Sequence, residues 1–272
     1  MKKNVQRLTM LAVTVMASMA TFAQSGETTT LKPLTEPLGD YYMTRYHVTN
    51  ANSSPGQIEQ IGFASNVNSD AEQMTDEFDG TLTIFNYISG SVSAWVSNIP
   101  ANAYTSTTLN NDTPNKSDFA ACAALTTKLS FEYDEERALG PATIGSNAFG
   151  GLTALTEVIN ATPGDKIAAI PEDAFATNVY KNATLKVPAS TNHATLLAYG
   201  NTEGWNKFYF KTDGSITLGD PSGDGKINAS DVKAIRALIV NKTYSVAADL
   251  NGDNKVNAAD LKIMRQIIVK TY

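Results

Sequence analysis

Two stretches near the C-terminus place oxygen-bearing side chains at the spacing with which a tight loop surrounds one hard cation. In residues 220–231, and again in residues 249–260, such side chains occupy positions 1, 3, 5, 9 and 12. Alternate side chains of a twelve-residue loop of this kind point at a common centre, and position 7 adds its backbone carbonyl. The predicted ligands are Asp220, Ser222, Asp224, Lys226, Asn228 and Asp231 in the first loop, and Asp249, Asn251, Asp253, Lys255, Asn257 and Asp260 in the second.

The residue types inside the loops agree with this interpretation. Position 6 has to turn sharply, and it is filled by Gly225 and Asn254, two residue types that adopt left-handed backbone readily. Each loop carries three carboxylates, whose repulsion should hold it open without a divalent ion. A single loop is also compatible with a solvated cluster of Asx turns. The second complete match favours metal binding over that alternative.

The elements that position these loops follow from hydrophobic spacing. Each loop is followed by an amphipathic helix, and the two helices share one apolar register. The register residues are Val232, Ile235, Leu238 and Ile239 in the first helix, and Leu261, Met264, Ile267 and Ile268 in the second. The segment before the first loop, 213–219, is typical of a turn and strand and not of an entering helix. Because a region this short has a marginal hydrophobic core, we expect a bound ion to stabilise its fold. Chelation of the ion should therefore unfold residues 216–272 and leave the rest of the chain folded.

Duplicated loop-plus-helix units with Asp at position 12 resemble type I dockerin domains over residues 216–272. The resemblance implies two calcium ions, two antiparallel helices with near two-fold symmetry, and a cohesin-like receptor domain on another protein. In that family, loop positions 10 and 11 and basic helix residues tend to face the receptor. The partner-binding residues implied here are Ala229, Ser230, Arg236, Ala258, Ala259 and Arg265. For the two arginines, a solvated helix face is an equal alternative.

The middle of the chain contains copies of a short motif. Residues 99–104, 144–149 and 170–175 each read Ile-Pro/Gly-x-x-Ala-aromatic, and a degenerate copy surrounds Phe119. Aromatic and leucine side chains at fixed offsets suit stacked turn-strand units that bury their apolar sides against one another. The pattern resembles the BspA-like leucine-rich repeats of bacterial surface proteins over 92–210, including a C-terminal cap.

The N-terminus predicts export. Three basic residues precede an apolar stretch at 8–20, and Ala23 supplies a small residue for cleavage. This is a secretory signal peptide, 1–23, and it is too short to span a membrane. Residues 24–40 are expected to form a flexible leader. Residues 41–91 are a small β-rich domain, degenerate repeats or an N-terminal cap, and no later segment is apolar enough to span a membrane.

Composition narrows the function. The 272 residues carry 21 Lys and Arg against 27 Asp and Glu, a net charge of −6, which argues against nucleic-acid binding. One cysteine excludes an internal disulfide framework. The acidic run 132–136 has carboxylates enough for a glycosidase pair, but adjacent acids on one loop are typical of a solvated face. We interpret Cys122 and Trp205 as core residues.

The sequence therefore predicts an α+β protein: a β-rich leucine-rich-repeat solenoid followed by a small all-α, calcium-binding, dockerin-like domain. We expect a secreted bacterial protein, extracellular or at the cell surface, without catalytic activity. Its repeats would recognise a protein or glycan, and its tail would dock onto a cohesin-like partner. Two alternatives are a component of a polysaccharide-degrading glycoside hydrolase complex and a tail that serves as an intramolecular, calcium-stabilised cap.

Overall fold

The protein divides into two compact units. The computed structural model describes residues 28–30, 45–50, 56–62, 80–84, 86–88, 94–105, 123–137 and 139–271. The first unit comprises Met1–Leu155 with Asp173–Ala176, and the second comprises Thr156–Glu172 with Thr177–Tyr272. The predicted signal peptide lies outside the described residues, as do Phe119 and Cys122.

The described part of the first unit is built from strands. They are β1 (Thr28–Thr30), β2 (Arg45–Asn50), β3 (Gly56–Gly62), β4 (Thr81–Ile84), β5 (Tyr87–Ile88), β6 (Ala94–Ile99), β7 (Lys128–Phe131) and β8 (Thr143–Ile144). Strand β2 pairs antiparallel with β1 and with β3, and β3 pairs parallel with β6. Strand β6 also pairs parallel with β8 and antiparallel with β5. Strands β4 and β7 also pair parallel.

Strand β1 falls in the stretch that the sequence predicts to be a flexible leader. Its residues Thr28, Thr29 and Thr30 pair with His47, Tyr46 and Arg45 of β2. Threonine is β-branched and favours a pleated surface, which gives this polar run a reason to be extended and paired. The leader prediction therefore does not hold for these three residues.

The motif copies stack turn on turn. Ile99 of β6 lies opposite Ile144 of β8, so the first two copies are in register. The amide of Tyr104 donates to the Ala148 carbonyl at 2.7 Å, and Phe149 and Phe175 form a parallel bridge. The Phe149 ring stacks on Tyr104 on one side and on Phe175 on the other, with centroids 5.6 and 5.0 Å apart. This is the arrangement that the pattern predicts for stacked units, while membership of the leucine-rich-repeat family stays a prediction.

The second unit combines a small parallel sheet with helices. Its strands are β9 (Glu157–Asn160), β10 (Thr184–Lys186), β11 (Phe210–Thr212) and β12 (Thr217–Leu218), and its helices are α1 (Thr177–Asn182), α2 (Ala194–Asn201), α3 (Ala229–Asn241) and α4 (Ala258–Thr271). Strands β9, β10 and β11 are parallel, and β12 returns antiparallel beside β11. One inward row of this sheet contains Val158, Leu185, Lys211 and Leu218, all buried.

Residues 156–172 and 177–215 form the cap segment of the second unit. Trp205 is 2% exposed, and its ring packs against Tyr199 and Phe208, which confirms that it is a core residue. The turn between β11 and β12 is held by Asp213, whose carboxylate accepts from the Ser215 and Ile216 amides. The other oxygen of Asp213 lies 2.5 Å from His193 Nδ1. Asp213 therefore connects the turn between β11 and β12 to His193 of the cap segment.

Residues 216–272 form the tail segment. Its helices α3 and α4 contact each other, and Ile235 and Met264, the matched residues of the two predicted registers, are both fully buried. Ile227 at loop position 8 packs near Gly219. Ile227 and Val256 hold position 8 of the two loops, and they are not among the residues that form bridges in the described part of the chain. Within the described ranges, no helix has the length and apolarity needed to cross a membrane.

Candidate metal centre

The first loop is organised around its aspartates. The carboxylate of Asp220 accepts hydrogen bonds from the amides of Gly223 and Gly225, both at 2.8 Å. The side chain at position 1 therefore fixes the backbone of positions 4 and 6 around it. Asp224 accepts the Lys226 amide at 2.9 Å. One carboxylate oxygen from each of Asp220, Asp224 and Asp231 lies within 4.8 Å of the other two. Three negative charges converge there, as a hard divalent cation requires.

Position 12 of the loop joins the site to its helix. Asn228 is the N-cap of α3, and its side chain accepts the Ser230 amide at 2.7 Å. Asp231 completes a capping box by accepting the Asn228 amide at 2.7 Å, and its other oxygen accepts the Ser222 amide. Asp231 is fully buried. Helix capping thus holds a buried carboxylate at the inner end of the loop.

The second loop repeats these hydrogen bonds. Asp249 accepts the amides of Asp253 and Asn254, and Asp253 accepts that of Lys255. Asp260 is fully buried and accepts the amides of Asn257, Leu250 and Asn251. The Asn257 side chain accepts the Ala259 amide at 2.8 Å at the start of α4. Among the described residues, however, the three aspartates of this loop do not gather as closely as those of the first loop.

The left-handed turn at position 6 is present in both loops. Gly225 has φ +76° and Asn254 has φ +60°. Asparagine tolerates this region better than other residues with a β-carbon, which explains why it can replace glycine at this position. The turn directs position 7 back toward the loop centre, so the carbonyls of Lys226 and Lys255 remain candidates for ligation.

Tyr244 distinguishes the second loop electrostatically. Its hydroxyl donates to Asp249 Oδ2 at 3.0 Å. Burial, together with the hydrogen bond to Asp249 and the charges of Asp253 and Asp260, raises the pKa of Tyr244 to about 12. The first loop, which follows β12 directly, has no tyrosine at the corresponding point of its sequence. Tyr244 was not predicted as part of the site, because only its contact in the folded chain identifies it.

The donor set fits calcium. The side chains predicted as ligands offer carboxylate, amide and hydroxyl oxygens, and position 7 offers a backbone carbonyl, which are the donors that calcium prefers. Neither loop offers the nitrogen or sulfur donors typical of a zinc site. The chemistry available here is the binding of a hard cation, and the aspartates that would hold it are already oriented by backbone amides.

The comparison with known families agrees with this geometry. Residues 218–269 match the model of the dockerin type I domain. The tail segment is dockerin-like. Domains of this kind bind calcium and imply a cohesin partner in an extracellular assembly. No curated protein and no solved structure matches the chain.

All predicted partner-binding residues of the dockerin-like segment are exposed. They are Ala229, Ser230 and Arg236 on α3, and Ala258, Ala259 and Arg265 on α4. Two further exposed residues were not predicted: Val240 and Val269, at 79% and 76% exposure. Each lies four residues after its arginine, so arginine and valine are neighbours on one helix face. The matched offsets in the two helices are the signal that could have found them.

The acidic run between β7 and β8 forms a hydrogen-bonded turn. Asp134 accepts from the Arg137 side chain and from the Glu136 amide. Burial of Asp134 opposes ionisation, but the bonds to Arg137 outweigh it and lower the pKa of this carboxyl. Glu132, Glu135 and Glu136 are exposed. These contacts are those of a solvated charged loop.

Proposed function

We propose that this is a secreted, non-catalytic binding protein whose stacked turns recognise a protein or glycan and whose dockerin-like segment docks onto a cohesin-like partner. The observation that supports docking is the matched exposure of α3 and α4. Arg236 and Val240 on one helix, and Arg265 and Val269 on the other, present the same cationic and apolar pair to solvent. In a chain with net charge −6, a paired basic and apolar face suits a partner of complementary charge.

Binding to a cohesin domain tests this function. We expect calcium-dependent binding, measured by isothermal titration, that is weakened on the order of tenfold or more by the double substitution Arg236→Glu and Arg265→Glu. Lys166→Glu, an exposed charge reversal in the cap segment, is the matched control and should bind normally. Full-strength binding by the double variant would contradict the assignment of this face.

Recognition by the stacked turns needs a separate test. Candidate ligands are proteins and glycans, because stacked repeats bind through extended surfaces and not through deep pockets. A glycan array and a protein array probed with the full chain should give a signal that persists when calcium is chelated. A signal that disappears together with docking would assign recognition to the tail segment instead.

A second role, an intramolecular cap, is favoured by the pairing of β12 with β11. Leu218 of β12 is 3% exposed and lies against Gly200 of α2, so the tail segment completes the sheet of the cap segment. Leu218→Ala should lower the thermal midpoint reported by Trp205 by about 5 °C or more, because it opens a cavity in this shared core. An unchanged Trp205 transition would contradict the cap role.

A further inference from the structure

The two loops meet different surroundings at the same loop position. Gly223 and Gly252 are both at position 4, with φ +73° and +66°. A β-carbon built on Gly223 meets nothing within 4 Å, whereas one built on Gly252 would lie 1.9 Å from Asn201 Nδ2. Asn201 is the last residue of α2 in the cap segment. At position 4, the backbone of the second loop therefore contacts the cap segment, whereas the backbone of the first loop has no neighbour within 4 Å of a β-carbon built there.

A hydrogen bond within the tail segment joins the start of the second loop to the end of β12, the strand that pairs with the cap segment. The Gly219 amide, at the end of β12, donates to the carbonyl of Ala247 at 2.8 Å, immediately before the second loop. Ala247, Ala248 and Asp249 are all buried. Since β12 pairs with β11 of the cap segment, the second loop reaches the cap through this bond as well as through Asn201.

The first loop has the opposite character. It leaves β12 directly, but its residues from position 3 to position 7 are exposed. They are Ser222, Gly223, Asp224, Gly225 and Lys226. An ion in this loop would order mainly residues that touch solvent and the start of α3.

We propose that the ion of the second loop stabilises the cap segment as well as the tail segment, whereas the ion of the first loop stabilises only its own loop and helix. A ligand that binds only the folded state stabilises whatever unfolds together with its site. At position 4 the second loop lies against Asn201 of the cap segment, whereas the first loop has no neighbour there, so the site of the second loop includes part of the cap segment. This inference rests on calcium binding and on the second role proposed above, and it is independent of the docking receptor.

Trp205 offers a direct readout in the full chain. The chain contains two tryptophans, and Trp95→Phe leaves Trp205 as the sole one, buried in the cap segment. In this background, Asp253→Ala and Asp224→Ala remove the matched position-5 ligand from one loop at a time, and both side chains are exposed. Calorimetry with calcium alone verifies which site each variant loses.

We expect Asp253→Ala to remove most of the calcium-dependent rise in the Trp205 thermal midpoint, and Asp224→Ala to retain most of it. A difference of about 5 °C or more between the two variants is the expected size. Equal midpoints, or a Trp205 transition indifferent to calcium in the parent, would overturn the inference. Absence of heat on calcium addition to the parent would overturn it too.

The glycines provide a second test with matched backbone strain. Gly252→Ala should lower the Trp205 midpoint more than Gly223→Ala, because only the former collides with Asn201. Adding Asn201→Ala to Gly252→Ala should recover part of the loss by removing the collision. Equal effects of the two glycine substitutions would contradict the proposal. One outcome separates this inference from the second role proposed above. If Leu218→Ala lowers the Trp205 midpoint, but the two aspartate variants agree with each other and the two glycine variants do too, the tail segment still stabilises the cap segment and only this inference fails.

Discussion

The stacked turns of the first unit and the loops of the tail segment are both duplicated, but they are held together by different forces. In the turns, the side chains at the centre are the aromatic rings of Tyr104 and Phe149, which are fully buried and in contact. In the loops, the side chains at the centre are carboxylates such as Asp231 and Asp260, which are just as buried. A core of rings stabilises itself by burial, whereas converging carboxylates need a cation to offset their repulsion.

This difference shows that a duplicated motif can be stabilised either by side chains that pack between its copies or by an ion that each copy binds. Each turn needs only its neighbouring turn to complete it, since Tyr104 donates its amide to Ala148 and stacks on Phe149, both in the next copy. The loops need a solute. Conditions that remove divalent ions should therefore separate the two regions experimentally.

Chelation is the largest expected effect. Removing calcium should abolish hydrogen-exchange protection of α3 and α4 and leave that of the stacked turns in the first unit intact, because only the loops depend on the ion. The sequence placed the boundary of this effect at residue 216. Because Gly252 and β12 contact the cap segment, we expect chelation to lower hydrogen-exchange protection there as well. Helices whose protection is indifferent to chelator would remove the distinction between the regions.

Phe149→Ala is the converse test, aimed at the turns. The ring contacts Tyr104, Phe131 and Phe175, so its removal should cost about 3–5 kcal/mol of unfolding free energy in the first unit. Denaturant-dependent hydrogen exchange of the Tyr104 and Gly151 amides, which bond within the stacked turns, measures this loss. Val269→Ala, at an exposed position, should change the free energy by less than about 0.5 kcal/mol. Calcium binding that fell together with the turns would show that the two regions are not separate.

The pH dependence of the second unit sharpens the comparison. Lys211 occupies the inward row of its sheet, and burial lowers its pKa to about 8, although its amine donates to the carbonyls of Phe208 and Asn206. Between this pKa and the ordinary value of 10.5, the unfolded chain binds the proton more tightly than the folded one. The free energy of unfolding should therefore rise with pH across this window, by about 3 kcal/mol in total.

Denaturant unfolding of the Trp95→Phe chain, followed by Trp205 at a series of pH values, measures that rise. Lys211→Met removes the titrating group and should flatten the dependence. Since other groups in the chain also titrate near pH 10, the difference between parent and variant is the quantity to compare. A variant with the same pH profile as the parent would contradict the assignment to Lys211.

Asn147 is the smallest test and concerns the turns alone. It has φ +54°, and its side-chain amide donates to Asn102 Oδ1 of the neighbouring copy at 2.8 Å. Asn147→Ala should cost about 1–2 kcal/mol in unfolding free energy, because it loses the bond and keeps an unfavourable backbone. Asn147→Gly relieves the backbone and should cost less. If both variants matched the parent, the bond between copies would contribute nothing to stacking.

The sequence was informative where structure is local and repeated. The loop spacing, the registers that bury Ile235 and Met264, and the left-handed turn at Asn254 could all be predicted because each depends on residues a few positions apart. The stacking of the motif copies followed from their repetition. Similarity to known families supports the dockerin-like segment, and the leucine-rich-repeat interpretation of the turns stays a prediction.

Contacts between distant or ordinary residues were not predictable. Neither Asn201 nor Gly252 is unusual in sequence, and only the folded chain brings the amide of one against the backbone of the other. Tyr244 was missed for the same reason, since a single tyrosine after a helix has no pattern. Strand β1 was missed because a threonine run beside Ser, Gly and Glu is equally typical of a polar leader.

The turn at Asp213 has a mechanical consequence. Only residues 213–216 separate β11 from β12, and Asp213 anchors them to His193 and to the Ser215 and Ile216 amides. Tension applied to α3 or α4 would reach the sheet without slack to absorb it. Because β11 and β12 run antiparallel, the pull would load the pair Lys211–Leu218 first and the pair Thr212–Thr217 after it, so an anchored molecule should open here one residue pair at a time, up to the turn that Asp213 holds.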